Sequence, residues 1–461
     1  MSLKNYMQSL TGKHVTVIGA GLSNRPLIER LARAGIDVTV RDKADAASLG
    51  EFYTTYSAQG VKFCLGEDYL DGLDGDVVFR TPSFLPIQPV LEEATRRGAV
   101  VTSEMEVFFE LCPCPVIAVT GSDGKTTTTT LIAKLMEAAG YTVWLGGNIG
   151  RPLLTDVDQI KPGDVAVLEL SSFQLHSMTC SPDVAVITNI APNHLDIHKD
   201  YQDYIDAKKQ IFRNQKRGSR LVLNRDNAVT VACAPEAKGD VVWFSRQSAV
   251  EHGVYLRPDG MICANMDGAE TEILPASELA VPGVHNVENM MTAFAAVWDR
   301  VSTEAMVSVA HSFTGVAHRL ETVRVHKGVT YINDSIASSP DRTMAGLACF
   351  DERVILIAGG KDKGIPFDSL GPAVCRHVKR LYLTGWTADK IKTAVESAVE
   401  YTPGAPEIFV IEDFKETILT AAAAAQPGDT VLLSPACTSF DRFRNFEERG
   451  NTFRKIVEEI E

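Results

Sequence analysis

Gly121-Ser122-Asp123-Gly124-Lys125-Thr126 has the residue types and spacing of a loop that holds phosphate. The apolar run Val116–Val119 before it reads as a buried strand. Gly121 and Gly124 let the chain turn so that successive N–H groups point at phosphate oxygens. A threonine run from Thr126 to Thr130 then opens an amphipathic segment, and the start of a helix adds partial positive charge. Lys125 is spaced to reach terminal phosphates and the Thr126 hydroxyl to touch Mg²⁺. Gly121, Ser122, Asp123, Gly124, Lys125, Thr126 and Thr127 are therefore candidate nucleoside triphosphate ligands. The loop is tighter than the common form, because Val119 stands where that form has a glycine. An ordinary glycine-rich strand-to-helix turn is the bland alternative, and Gly-Lys-Thr directly after a strand argues against it.

More chemistry follows in the next hundred residues. "DVAVLELSSFQL" reads as a buried strand ending in Glu169, and a carboxylate at the carboxyl end of a parallel strand is placed for Mg²⁺ beside a phosphate loop. "VAVITNIAPNHLDIH" is a strand running into a loop with Asn189, Asn193, His194, Asp196 and His198. A lone loop histidine is usually just solvated, so spacing alone leaves His194 open. In "YQDYIDAKKQIF", Lys208 and Lys209 are by default exposed helix lysines, and nothing local separates them.

Three glycine-rich turns organise the elements that carry these groups. The first lies in "HVTVIGAGLSNRPLIERLARAGIDVTVRDK": strand Val15–Ile18, Gly19-x-Gly21, a helix with Pro26 near its start, then strand Ile36–Val40 leading to Asp42. Asn24 replaces the third glycine of a dinucleotide fingerprint, which weakens a nicotinamide reading without removing nucleotide binding. The prolines of "ELCPCP", Glu110 to Pro115, interrupt helix and strand alike and mark a boundary. Toward the C-terminus, strands at Val354–Ile357, Leu381–Leu383, Ile408–Ile411 and Val431–Leu433 recur at the spacing of parallel β-α units. The expectation is an α/β chain of three domains, 1–111, 112–315 and 316–461: a Rossmann-like domain, a central phosphate-loop domain and a second doubly wound sheet.

Composition narrows the function. The chain has 461 residues, 45% hydrophobic and 23% charged, an ordinary globular balance. A net charge of −14 argues against a nucleic-acid track, which needs a basic stripe. No apolar run is long enough to span a bilayer, and Met1 to Gly12 lacks a signal-peptide layout. Nine scattered cysteines without a C-x-x-C pair fit free thiols in a reducing cytoplasm.

"TGSDGKTTTTTLI", "GGNIG", "LELSSFQL", "NHLDIH", "YIDAKKQIF", "GVHNVENMMTA", "HRLE", "INDS" and "LLSPACTSFDRFRNFEERGNTF" resemble, in this order and over the whole chain, the motifs of the Mur ligase family. The closing stretch and "LELSSFQL" are most similar to its D-glutamate-adding branch, and the Asp-Asn-Pro-Arg signature of the diaminopimelate- or lysine-adding branch is absent. The resemblance implies a bacterial cytoplasmic enzyme of cell-wall precursor synthesis, and so of cell shape and division, acting as a monomer. It implies ATP-dependent joining of D-glutamate to UDP-N-acetylmuramoyl-L-alanine through an acyl phosphate. It also implies two Mg²⁺ ions, one on Thr126 and Glu169, the other between Glu169, His194 and Lys208. On this reading Lys208 carries a carbamate, which turns a cation into an anionic oxygen ligand, and Lys209 is its surface neighbour. Asn286 and Asn289 would meet adenine, with Arg319 and Asp334 on phosphate and ribose. Asn148 and Ser171 would hold the muramoyl and peptide parts of the UDP substrate. Gly19, Gly21, Ser23 and Asn24 would lie under its diphosphate and Asp42 near the uracil. Lys363, Ser439 and Phe446 match the D-glutamate pocket.

One position departs from the pattern. "NDSIASSP" has Ile336 where many of the branch have lysine, and "GGKDKGIPF" offers two cations, Lys361 and Lys363, on one glycine-bounded loop. Two other classes explain less. A nicotinamide oxidoreductase leaves the Lys125-Thr126 loop without a role, and a phosphate-loop motor or switch leaves the amino-acid pocket without one. A folate polyglutamate ligase shares the ATP domain and would need a pterin instead.

Overall fold

The structure, a computed structural model, describes all residues except Met1, Leu22, Leu195, Asp196, Asp267, Pro282, Lys363 and Gly364. The chain forms two compact units, Met1–Phe313 and Thr314–Glu461.

The first unit holds two sheets. Strands β1 (His14–Ile18), β2 (Asp37–Asp42), β3 (Lys62–Leu65), β4 (Val77–Phe79) and β5 (Val100–Thr102) form a parallel sheet in the order β3-β2-β1-β4-β5. The expected Gly19 turn therefore leaves the middle strand, and Asp42 ends its neighbour. The second sheet comprises β6 (Val116–Thr120), β7 (Val143–Gly147), β8 (Val165–Glu169), β9 (Val184–Ile187), β10 (Arg220–Asn224), β11 (Asp240–Ser245), β12 (Gly253–Leu256), β13 (Met261–Met266) and β14 (Ala269–Pro275). Its order is β14-β13-β12-β11-β10-β9-β6-β8-β7. Every residue of β6, β8 and β9 is buried, as expected for parallel strands covered on both faces. The antiparallel meander β12-β13-β14 carries no glycine-rich phosphate turn and was not expected from the sequence.

One apolar cluster connects the two sheets of this unit, from Val15, Val17 and Phe79 through Phe108 and Leu111 to Val116, Leu168 and Ile187. Two polar ties reinforce it. The buried Arg80 guanidinium donates to the Phe173 carbonyl at 3.2 Å and to Ser177 Oγ at 2.5 Å. Glu104 accepts from the Leu154 N–H at 2.9 Å, and burial pushes its carboxyl up to about 7.

The second unit has β15 (Glu321–His326), β16 (Val329–Asn333), β17 (Val354–Ala358), β18 (Val378–Leu383), β19 (Glu407–Val410) and β20 (Thr430–Leu433), in the order β15-β16-β20-β17-β18-β19. The four expected strands are present. An antiparallel hairpin, β15-β16, precedes them, and the rest of the sheet is parallel. Among the described residues no helix is long and apolar enough to cross a membrane.

Candidate active site

The phosphate loop joins β6 to the helix Lys125–Ala138. Its glycines are required by close approach as well as by turning. At Gly121, with φ +152°, a Cβ would stand 1.9 Å from Thr188 Oγ1. Gly124, in the left-handed region at φ +75°, caps the helix, and a Cβ there would stand 2.4 Å from Asn289 Oδ1. The loop's early N–H groups are used internally: Ser122 N donates to the Asn189 carbonyl at 2.9 Å and Asp123 N to Asn189 Oδ1 at 3.0 Å. The N–H groups of Ser122 and Asp123 are thus taken within the fold by Asn189. Lys125 Nζ folds over the loop and donates to the Gly121 and Ser122 carbonyls, both at 2.9 Å.

Behind the loop lies a buried carboxylate. Glu169, 1% exposed at the end of β8, accepts from Thr126 Oγ1 at 2.7 Å and from Asn148 Nδ2 at 2.8 Å. Asn148 also donates its backbone N–H to the Glu169 carbonyl at 2.8 Å. The tight passage is possible because residue 147 is glycine, where a Cβ would stand 2.1 Å from that same carbonyl oxygen. A carboxylate and a hydroxyl side by side form a hard oxygen donor set that suits Mg²⁺.

Lys208 closes the cluster from the helix Tyr201–Arg213. It is 2% exposed, its Nζ donates to the Gly121 carbonyl at 2.7 Å, and the Tyr204 ring centroid lies 4.6 Å from it. Burial, and then the neighbouring Lys125 ammonium, pull its pKa well below the usual lysine value. Lys209, one residue on, is half-buried and pairs with Glu236. His194 sits on the exposed loop after β9, at φ +54°, its ring 5.2 Å from that of Phe173. Tyr204 and Thr188 are structural members of the site that spacing did not single out. Tyr204 Oη lies 3.0 Å from Ser122 Oγ, and the Thr188 hydroxyl donates to the Asp123 carbonyl at 2.5 Å. An apolar-looking i, i+4 pair of tyrosine and lysine on one helix was the available signal.

The remaining expected residues divide by what their side chains already do. Asn289 is buried against the phosphate-loop helix and accepts from Thr128 Oγ1 at 3.2 Å; Asn286 lies half-buried on the same helix, Val284–Val297. Ser171 caps the short helix Ser172–Leu175 through a reciprocal pair with Gln174. Gly21 stands in open space and Ser23 is half-buried, on the turn after β1. Asn24 lies on the same turn, with its side chain facing into the protein. It is 1% exposed, and its amide donates inward to the Ile18 and Gly19 carbonyls, both at 3.0 Å. Asp42 also serves its own turn, accepting from Ala20 N at 2.6 Å and Ala44 N at 2.8 Å.

In the second unit, Asp334 is buried at the end of β16, accepting from Ser434 Oγ at 2.8 Å and Leu320 N at 3.3 Å. Burial pushes its carboxyl up to about 6. Arg319 is exposed, Ser439 buried and Phe446 half-buried, its ring edge-on to His318 at 6.1 Å. Ile336 is half-buried, and its carbonyl accepts from the Arg342 guanidinium at 3.3 Å. Lys361 Nζ lies 5.8 Å from the Trp386 ring centroid, and Lys363 falls outside the described residues.

Fold and site together define a phosphate-loop α/β protein whose buried carboxylate and lysine converge on one loop. Residues 119–297 match the Mur ligase middle domain, and residues 318–437 the glutamate ligase domain of Mur ligases. The UDP-N-acetylmuramoylalanine--D-glutamate ligase of Acetivibrio thermocellus is 51% identical over 462 residues, 100% of this chain and 99% of that protein. The enzyme of the same name from Ruminiclostridium cellulolyticum is 48% identical over 461 residues, 99% of each chain. The crystal structure of UDP-N-acetylmuramate-alanine ligase from Thermotoga maritima shares the fold, with a TM-score of 0.55 at 18% identity over 97% of this chain and 99% of that one. The chain belongs to the Mur ligase family.

Proposed function

We propose that this chain is an ATP-dependent amide ligase that adds D-glutamate to UDP-N-acetylmuramoyl-L-alanine in peptidoglycan precursor synthesis. The observation that carries the proposal is the Thr126–Glu169–Asn148 cluster directly behind the phosphate loop, its threonine and glutamate buried, in a chain about half identical, end to end, to ligases of that name. A carboxylate is a poor electrophile at neutral pH, so its oxygen first takes the γ-phosphoryl group of ATP, with ADP leaving. The amine of D-glutamate then attacks the acyl carbon, phosphate leaves, and the amine gives up a proton. Both steps crowd anions together, and catalysis is mainly positioning and charge neutralisation. Lys125 serves the β- and γ-phosphates.

Thr126 and Glu169 would hold one Mg²⁺, and Glu169, His194 and a carbamylated Lys208 the second. Bound there, Mg²⁺ supplies charge neutralisation between acyl oxygen and γ-phosphate. The lowered pKa of Lys208 supports the carbamate, because a larger neutral fraction is the form that adds CO₂, losing one proton and gaining an anionic oxygen. Lys209 is instead held in an ion pair with Glu236. Gly121–Thr127 with Asn286, Asn289, Arg319 and Asp334 would bind ATP. The first sheet, with Asn148 and Ser171, would bind the UDP substrate, and Lys363, Ser439 and Phe446 D-glutamate. We keep the domain division 1–111, 112–315 and 316–461, a cytoplasmic location and a monomeric state as parts of the proposal. Phosphate release against a panel of UDP-muramoyl substrates and D- or L-amino acids tests it. Turnover should require ATP, UDP-N-acetylmuramoyl-L-alanine and D-glutamate together, and equal turnover with another amino acid would refute the specificity.

A further inference from the structure

Beside the phosphate loop, and sharing no residue with the Mg²⁺ positions above, two histidines and an aspartate converge. His198 Nδ1 lies 2.8 Å from Asp203 Oδ2, and His176 Nε2 lies 3.1 Å from Asp203 Oδ1. The potential ligand atoms of His176, His198 and Asp203 all fall within 4.8 Å of one another. We propose that His176, His198 and Asp203 form a further metal site, specific for a borderline transition ion such as Zn²⁺ rather than for Mg²⁺.

Four observations carry this. Ligand atoms around a tetrahedral Zn²⁺ with bonds of about 2.0–2.1 Å stand roughly 3.3 Å apart, so the two nitrogens and the carboxylate need only small movements to meet one ion. Imidazole nitrogens suit Zn²⁺, whereas Mg²⁺ demands an oxygen shell that this trio lacks. The outer partner is already in place: His198 Nε2 lies 2.9 Å from the buried Ser172 Oγ. When Nδ1 takes the metal, the His198 proton shifts to Nε2 and is donated to Ser172, fixing the tautomer as metal-bound histidines require. Finally, the His198 ring is held in plane against Phe173, 5.5 Å between centroids at 10°, so a ligand nitrogen is presented in one orientation. Two neutral imidazoles and a carboxylate leave a net charge of +1, and the part-exposed side chains of His176 and Asp203 give a solvent molecule access to the fourth position.

Such an ion would stitch three segments together: the end of the helix Ser172–Leu175, the loop that carries His194, and the helix Tyr201–Arg213. Asp203 is adjacent to Tyr204, whose ring edges onto His198 at 5.2 Å, lies under Lys208 Nζ and bonds Ser122. Its effect would be to stiffen the wall that positions Lys208, without touching the substrates.

The test is a Co²⁺ titration of metal-stripped full-length protein in excess Mg²⁺. One equivalent should give a tetrahedral visible absorption band that Zn²⁺ displaces, and Zn²⁺ should raise the melting temperature. His176→Gln and Asp203→Asn should each weaken Co²⁺ binding at least tenfold. X-ray absorption of the Zn²⁺-loaded wild type should show two imidazole scatterers, a readout that does not depend on a variant folding. Absence of a saturable band, a band unchanged in both variants, or an oxygen-only shell would overturn the proposal.

Discussion

Two turns in the first unit begin alike, with a parallel strand running into a glycine and then a helix, yet the structure uses them in opposite ways. After β1, the polar side chains are consumed in shaping the turn itself. Asp42 takes the N–H groups of Ala20 and Ala44, Asn24 takes the carbonyls of Ile18 and Gly19, and Arg25 Nε takes that of Ala20 at 2.9 Å. After β6, the backbone of the turn is held from outside by Asn189 and Thr188 and from within by Lys125 Nζ, and the Thr126 hydroxyl is turned to Glu169. A loop braced by its neighbours can spend its own polar groups on a ligand. A loop that braces itself offers backbone and space.

The sharpest way to break the contrast is to remove the cations. Lys125→Ala should lower ATP turnover about a hundredfold or more, the scale of a lost transition-state contact in a shielded site. Lys208→Ala should inactivate the enzyme comparably, while Lys209→Ala should leave activity unchanged and cost at most about 1 kcal/mol of stability, the scale of a lost ion pair. Phosphate-release rates of the three variants at saturating substrates check this, and equal losses at 208 and 209 would erase the distinction that burial draws.

A smaller effect separates the glycines. Gly121→Ala forces a Cβ onto Thr188 and should depress turnover severely, whereas Gly21→Ala meets nothing within 4 Å and should be mild. Comparing kcat and melting temperature for the pair tells whether close approach, rather than sequence likeness, sets the need for glycine. Next in size, Asn24→Ala strands two carbonyls in the core and should cost about 1–3 kcal/mol of stability with the KM for ATP unchanged. Urea unfolding combined with KM measurements separates the outcomes, and a raised KM for the UDP substrate without lost stability would assign the Asn24 side chain to ligand contact instead.

The smallest effect contrasts the two units. The Asp334 carboxyl is pushed up to about 6 from its ordinary 3.8, so the folded state binds its proton more tightly than the unfolded chain. Its contribution is complete below pH 3.8 and is lost as pH rises through about 6. The stability of the wild type relative to Asp334→Asn should therefore fall between those values, and parallel urea midpoints across that range would contradict the shift.

Much of this was legible before folding because it depends on short-range chemistry. The phosphate loop, the strands β1, β6, β8 and β9, and the position of Glu169 at a strand end follow from apolar runs bounded by glycine or a charge. The meander β12-β13-β14 was not legible, since short strands paired to one another at a sheet edge leave only a weak alternating pattern. His176 was passed over for the same kind of reason: a histidine gains meaning only from partners 22 and 27 residues away, at His198 and Asp203, and spacing along the chain is silent about them.

The sequence by itself determined the α/β class, the phosphate-binding chemistry and, through motifs spread over the whole chain, the family. These rest on local backbone geometry and residue type, which neighbours in the chain already specify. Only the tertiary structure decided which of two adjacent lysines is buried, that Asn24 turns inward, and that Ser122 and Asp123 give their N–H groups to Asn189. Desolvation and hydrogen-bond partnership are set by segments distant in sequence, so the same residue types acquire different charges and duties according to what packs against them.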